Sequence, residues 1–148
     1  MAYKEIKNFL TKELCETLIK KFKSYNGKYI KFQNRFLIRL KHFPEDELFL
    51  EVIKKYEKPN IPIKNIEILF WPIGEFHNLH DDTIFYDITT ITYLNEDYEG
   101  GRTVVEGTEI KPEIGKFIEF DSNKKHLVTQ LTKGQRYVLL CWYKNENK

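Results

Sequence analysis

Beyond Ile61 the chain breaks into short extended runs, and this limits its fold more than any other feature. The runs are IEILFW (66–71), DITTITYLN (87–95), TVVE, KFIEF, HLVTQ and QRYVLLCWY (135–143), with Gly74, Gly100-Gly101, Gly107, Pro112, Gly115 and Gly134 between them. Short strands at such spacing, behind helices, predict an antiparallel sandwich or jelly roll. Upstream the periodicity is helical. Leu10, Leu14, Leu18 and Phe22 recur every fourth residue with Ile19 beside them, which predicts a helix from about Thr11 to Ser24, closed by Asn26-Gly27. Leu48, Phe49, Val52, Ile53 and Tyr56 predict a second helix between Pro44 and Lys58, with acids at its start, lysines at its end and Pro59-Asn60 as its stop. The aromatic and branched stretch KYIKFQNRFLIRLKHF between the helices supplies one or two strands. The expected class is mainly β with N-terminal helices (α+β).

With 148 residues, 41% apolar and 15% aromatic, there is material for one core without disulfides. A single domain over 1–148 is expected, with 1–60 as helical support and 61–148 as the working jelly roll. The net charge is +2 with lysines and acids interleaved, so no basic stripe suggests nucleic acid. No apolar run reaches the roughly 18 residues of a membrane span, and MAYKEIKNFLTKEL lacks the core of a secretory signal, so a soluble, cytoplasmic protein is expected. Cys15 and Cys141 have no CxxC spacing and read as packed free thiols.

His80 and Asp82 stand two apart, so in an extended segment both side chains leave one face and can share a metal, with His126 completing the set. Two imidazoles and a carboxylate on one face of an octahedral ion leave positions open for oxygen chemistry at Fe(II). In a chain with four histidines such a pair also arises by chance, and Asp81 or His77 could coordinate instead. HLVTQ and QRYVLLCWY read as a β-hairpin, with His126, Val128 and Gln130 on one face of the first strand and Arg136, Val138, Leu140 and Trp142 on one face of the second. Arg136 would then oppose Gln130, about 13 Å along the sheet from His126. An arginine on a mainly apolar face needs an anion. Either a protein carboxylate supplies it, or a five-carbon dicarboxylate spans from metal to guanidinium, with Tyr93 adding a hydroxyl.

Over residues 66 to 143 the sequence resembles the 2-oxoglutarate/Fe(II) dioxygenases, and among them the prolyl 4-hydroxylase-like branch. The resemblance rests on Trp71, Gly74, His80 and Asp82, then Tyr93-Leu94-Asn95, Gly100-Gly101-Arg102-Thr103, the turn Pro112 to Gly115, His126, Arg136 and Trp142. It implies a double-stranded β-helix with His80, Asp82 and His126 as iron ligands. It also implies a 2-oxoglutarate site in which Arg136 and Tyr93 hold the C5 carboxylate, with Trp71, Val128 and Trp142 beside them. Dioxygen is the implied co-reactant, with ascorbate as a reductant. Trp71 stands where many prolyl hydroxylases have tyrosine, and His77 where they often have an aromatic residue; substrate identity is therefore less closely specified than the cofactors.

The implied reaction converts 2-oxoglutarate to succinate and carbon dioxide while a substrate carbon is hydroxylated. The expected substrate is a prolyl residue in a peptide or protein. Another amino-acid residue, a small molecule, or a non-catalytic jelly-roll binding module are the alternatives, and nothing in the sequence bears on oligomeric state. His77, Thr83 and Asp87 are the candidates for substrate contact, by position alone.

Overall fold

A computed structural model describes residues 2–146. The first part contains β1 (Lys4–Ile6), α1 (Lys12–Ser24), β2 (Ile30–Phe32), β3 (Arg35–Arg39), a 3-10 turn at Leu40–His42 and α2 (Glu47–Tyr56). Thr11 caps α1, its Oγ1 accepting the Leu14 N–H at 3.1 Å, while Lys21 and Lys23 occupy the last turn where the helix dipole favours cations. Asp46 caps α2 by accepting the Phe49 N–H at 3.2 Å. That cap is why α2 begins at Glu47 rather than at Pro44: the capping residue itself is extended, and everything before it is turn.

Ten further strands follow: β4 (Ile63–Trp71), β5 (His77–His80), β6 (Ile88–Tyr93), β7 (Glu99–Gly100), β8 (Thr103–Val105), β9 (Thr108–Ile110), β10 (Phe117–Asp121), β11 (His126–Val128), β12 (Leu131–Lys133) and β13 (Arg136–Tyr143). They form a seven-stranded sheet in the order β1-β10-β6-β13-β4-β3-β2, a four-stranded sheet β5-β11-β8-β9, and a two-stranded ladder β12-β7. All the pairings are antiparallel. This is the expected jelly roll with its helices to one side.

The large sheet is buried on both faces. Along β13, Tyr137, Leu139, Cys141 and Tyr143 join Leu18, Phe22, Phe49 and Val52 of the helices in one core, while Val138 and Leu140 join Leu69, Tyr93, Val105 and Val128 in a second core between the sheets. A strand covered on both faces must be apolar at every position, which explains the unbroken run YVLLCWY. Cys15 and Cys141 are free thiols in the helix-side core.

Two sequence expectations change. The boundary drawn at residue 60 is not structural, since β1, β2 and β3 all belong to the large sheet and only the helices lie outside it. The hairpin expected from His126 to Tyr143 does not form. β11 lies in the small sheet between β5 and β8, β13 lies in the large sheet between β4 and β6, and β12 leaves between them to pair with β7. Arg136 therefore stands opposite Trp71, not Gln130, and the estimate along a shared sheet falls with the pairing. The crossing is made by Gly100, whose φ of +73° and backbone contact fit only glycine: an added Cβ would lie 2.0 Å from the Gln130 carbonyl oxygen. The alternation read along each strand still holds, because the inward faces of β11 and β13 now meet across the gap between sheets.

Among the described residues no helix is long and apolar enough to cross a membrane. Two outcomes follow from this packing. Gly100→Ala should lower the unfolding free energy by about 2–4 kcal/mol, since a positive φ and a backbone collision act together; urea titration measures it, and an unchanged midpoint would mean the β12-β7 ladder is dispensable. Burial pushes the Cys15 thiol up to about 11 and the Cys141 thiol up to about 12, so neither should react with an aromatic disulfide at pH 8 until the protein is unfolded.

Candidate active site

Between the two sheets lies a cavity of about 150 Å³. At one end, β5 and β11 run side by side with His80 opposite His126, and the turn after β5 brings Asp82 between them. The His80 Nε2 lies 3.6 Å from Asp82 Oδ1, and the His126 Nε2 lies 3.5 Å from Asp82 Oδ2. The Nδ1 of His80 is 2.7 Å from the Asn78 carbonyl and that of His126 is 3.0 Å from the Lys124 carbonyl. A carbonyl only accepts, so each Nδ1 carries the proton and each Nε2 turns a lone pair toward the carboxylate. Burial lowers the His126 pKa, against the pull of the Lys124 carbonyl and the Asp82 charge, so its imidazole is neutral near pH 7. With the two Nε2 atoms and the carboxylate facing one another, one cation satisfies all three. One atom from each residue lies within 4.8 Å of the others, close enough to share one ion.

Asp82 is held by a further set of groups. Its backbone N–H donates to the Ser122 carbonyl at 2.8 Å, and its Oδ2 accepts from Thr89 Oγ1 at 2.8 Å and from Trp142 Nε1 at 3.3 Å. Ser122 Oγ lies 2.9 Å from Thr89 Oγ1, and since the single Thr89 proton goes to Asp82, Ser122 is the donor. Trp142 thus has its N–H engaged with Asp82, and Tyr86 stacks on its ring at 4.9 Å. Thr89 and Ser122 carry no sequence signal that distinguishes them from other small polar residues of a strand and its turn.

His77 also lines the cavity, stacked on His80 with ring centroids 3.7 Å apart. Three residues apart on a regular strand, the two would face opposite ways. The register shift between β5 and β11, in which the four residues His77–His80 span the three residues His126–Val128, turns both inward. Burial and the neighbouring His80, Arg35 and Arg136 push His77 down to about 3, so it is neutral as well. The other two residues suggested for substrate contact point elsewhere. Thr83 hydrogen-bonds the Asp81 carboxylate through both its N–H and its hydroxyl, and Asp87 accepts the Asn145 N–H at 2.7 Å. Neither lines the cavity.

Arg136 enters the other end of the cavity and is 1% exposed. Asn95 fixes its position by accepting the Tyr137 N–H at 2.9 Å and donating to the Gln135 carbonyl at 2.8 Å, which explains the Asn of Tyr93-Leu94-Asn95. The guanidinium lies 4.7 Å from the Trp71 ring centre and 5.9 Å from that of Tyr93. Its Nη2 donates to Thr103 Oγ1 at 3.2 Å, and Tyr93 OH donates to the same oxygen at 2.8 Å. The guanidinium of Arg35, which sequence reasoning passed over, lies 4.8 Å from the Trp71 ring centre, and its Nε pairs at 3.8 Å with Glu75. Among the described residues no carboxylate pairs with Arg136. Arg136 Nε, Arg35 Nε and Trp71 Nε1 are buried without hydrogen-bond partners. Three donors of cavity-wall residues left without acceptors fit an anionic ligand, and among the described residues no protein carboxylate takes the place of a partner to Arg136.

Comparison with known proteins follows the same lines. The family model of the 2OG-Fe(II) oxygenase superfamily matches residues 66–144. Prolyl 3-hydroxylase 1 of Gallus gallus is 34% identical over 68 residues, covering 40% of this chain and 9% of that protein. Prolyl 3-hydroxylase 2 of Rattus norvegicus is 32% identical over 68 residues, covering 40% of this chain and 10% of that protein. The chain thus spans about a tenth of the length of these relatives. The viral collagen prolyl hydroxylase of Paramecium Bursaria Chlorella virus-1, solved as a 2OG complex, aligns with a TM-score of 0.70 at 16% identity over 99% of this chain and 97% of that one. A Pseudomonas putida prolyl-4-hydroxylase aligns with a TM-score of 0.73 at 16% identity over 98% of this chain and 93% of that one. At that identity the likeness establishes the fold.

An unpaired buried cation is costly. In protein stripped of metal and small acids, Arg136→Met should therefore raise the unfolding free energy, by about 1–3 kcal/mol. A fall in stability on denaturant titration would mean that Arg136 is compensated by the protein itself.

Proposed function

The chain belongs to the 2OG-Fe(II) oxygenase superfamily, whose members use Fe(II), 2-oxoglutarate and dioxygen, and we propose that it hydroxylates prolyl residues of a polypeptide. His80, Asp82 and His126 are the ligands in this reading. The observation that carries it is a single cavity with a shared cation site at one end and, at the other, a buried arginine that pairs with no carboxylate among the described residues. When bound, Fe(II) with 2-oxoglutarate and dioxygen supplies the oxidation that replaces a substrate C–H by C–OH, releasing succinate and carbon dioxide.

The chain's own residues bind, orient and exclude water. Arg136 takes the far carboxylate of 2-oxoglutarate as a planar fork, with Tyr93 and Thr103 completing the hydrogen bonds around it. The Trp71 N–H is free to donate to the same ligand, and Val128 packs on it from the opposite sheet. Ser122, Thr89 and Trp142 hold Asp82 so that its carboxylate does not rotate away from the histidines. Val138, Leu140, Ile91 and Leu69 keep the space between the ends dry.

A polypeptide substrate is supported by the surface around this cavity. Of the large apolar side chains that stay exposed, Ile73, Phe76, Leu79, Ile84 and Phe85 all fall in the segment that carries His80 and Asp82, and Phe32 stands at the cavity rim. An exposed apolar surface concentrated there suits a chain laid across the opening. The names of the relatives and structural neighbours support proline as the residue modified.

Anaerobic protein given Fe(II) and 2-oxoglutarate should develop a weak visible charge-transfer band. His126→Ala should lose both iron and band, and retained turnover in that variant would remove His126 from the ligand set. Arg136→Ala should keep the iron but require at least about tenfold more 2-oxoglutarate, as one buried charge-assisted pair is lost; an unchanged requirement would place the cosubstrate elsewhere.

A further inference from the structure

The cavity holds a buried carboxyl group with no place in that account. Glu67, at the middle of β4, faces the space between the sheets with Leu140 of β13 on one side and Arg39 of β3 on the other. It is 5% exposed, its Oε2 has no hydrogen-bond partner, and Arg39 does not come within ion-pair distance. Burial pushes its carboxyl up to about 7 against the opposing charge of Arg39. A leucine or methionine would fill this position without desolvating an acid, so the protein's own contacts do not explain the residue.

Its position along the sheet narrows what it can meet. Arg136 and Trp71 form one cross-strand pair and Leu140 and Glu67 another, so Glu67 lies two inward positions, about 13 Å, from the arginine end. It lies one inward position from the level of Trp142, whose N–H holds Asp82. The cavity is therefore polarised along its length, with donors and guanidiniums at one end and carboxyl groups at the other. An anion goes to the first end. A hydrogen-bond donor goes to the second.

We propose that Glu67 is a specificity-determining residue that accepts an N–H of the substrate beside the reacting ring. This rests on the prolyl reading above and sharpens it. A prolyl nitrogen inside a chain carries no hydrogen, so the donor is either the peptide N–H of a neighbouring residue that is not proline or the free amine of an N-terminal proline. The substrate is then proline in an interrupted sequence, and an uninterrupted proline run, which has no internal N–H, is a poor one.

The experiment uses protein loaded with Fe(II) and 2-oxoglutarate under argon, and follows the fluorescence of its two tryptophans, both of which line the cavity. The probes are an end-blocked alternating Pro-Gly decapeptide, an end-blocked decaproline, and a Pro-Gly peptide with a free N-terminus. Wild type should bind a probe carrying N–H about tenfold or more tightly than decaproline, the weight of one hydrogen bond to a carboxylate. Glu67→Leu should lose that preference with decaproline affinity maintained, and Glu67→Gln, whose carbonyl still accepts, should keep part of it. A gain confined to the free N-terminus identifies the amine as the donor; a gain shared by the blocked peptide identifies the amide. Equal affinities in wild type, or a preference intact in Glu67→Leu, overturns the inference. Hydroxylation of Pro-Gly and decaproline with equal efficiency does so too, while leaving the prolyl reading in place. If no probe binds although the charge-transfer band is present, both readings fall together.

Discussion

Every part of this molecule takes its place from the pairing of β13 with β4 and β6. Because both faces of that three-strand centre are covered, one register decides two things at once: which residues anchor the helices and which face the cavity. A slip of one residue would send Arg136 and Trp142 into the helix-side core and bring Tyr137 and Cys141 into the cavity. The Asn95 side chain, bonded on both sides of Arg136, fixes that register at the position where an error would matter most.

The cavity also shows how a sandwich interior can hold charge. Its walls are mainly Val, Leu and Ile, yet two guanidiniums flank one indole at less than 5 Å, and three histidines gather at the opposite side. Such an arrangement weakens the empty fold and strengthens the filled one. The Tyr93-Thr103-Arg136 cluster and the Ser122-Thr89-Asp82 chain are hydrogen-bonded within the protein itself, which reduces the ordering that binding has to impose.

Much of this was legible in the sequence. Helix periodicity, turn glycines and the alternation along QRYVLLCWY gave the element types and the facing of Arg136, because these depend on neighbours within a few residues. The partner of each strand was not legible. HLVTQ and QRYVLLCWY are separated by a few turn-like residues, and only the packing of Gly100 against the Gln130 backbone shows that the second strand crosses to another sheet. The residues that hold Asp82 were missed for a related reason: Thr89 lies opposite Phe120 in the β6-β10 ladder, and Ser122, just past the end of β10, reaches it only diagonally through the fold. Arg35 and Glu67 left a weak signal, Arg35 opening the run RFLIR and Glu67 interrupting the apolar run IEILFW, and that signal could have been read.

The Pro112 to Gly115 turn has a consequence for how the chain is made. Gly115 lets the segment before α1 lie directly against it, with the Phe9 N–H donating to its carbonyl at 2.9 Å and the Leu10 carbonyl where a Cβ would stand. β1 continues that contact, placing Lys4 opposite Glu119. The segment that carries β1 and Phe9 thus waits for partners far along the chain, and the core beneath α1 is complete only when β13 joins it. Contacts of such sequence separation form only after a long loop has closed, which slows folding relative to a helical bundle of the same size.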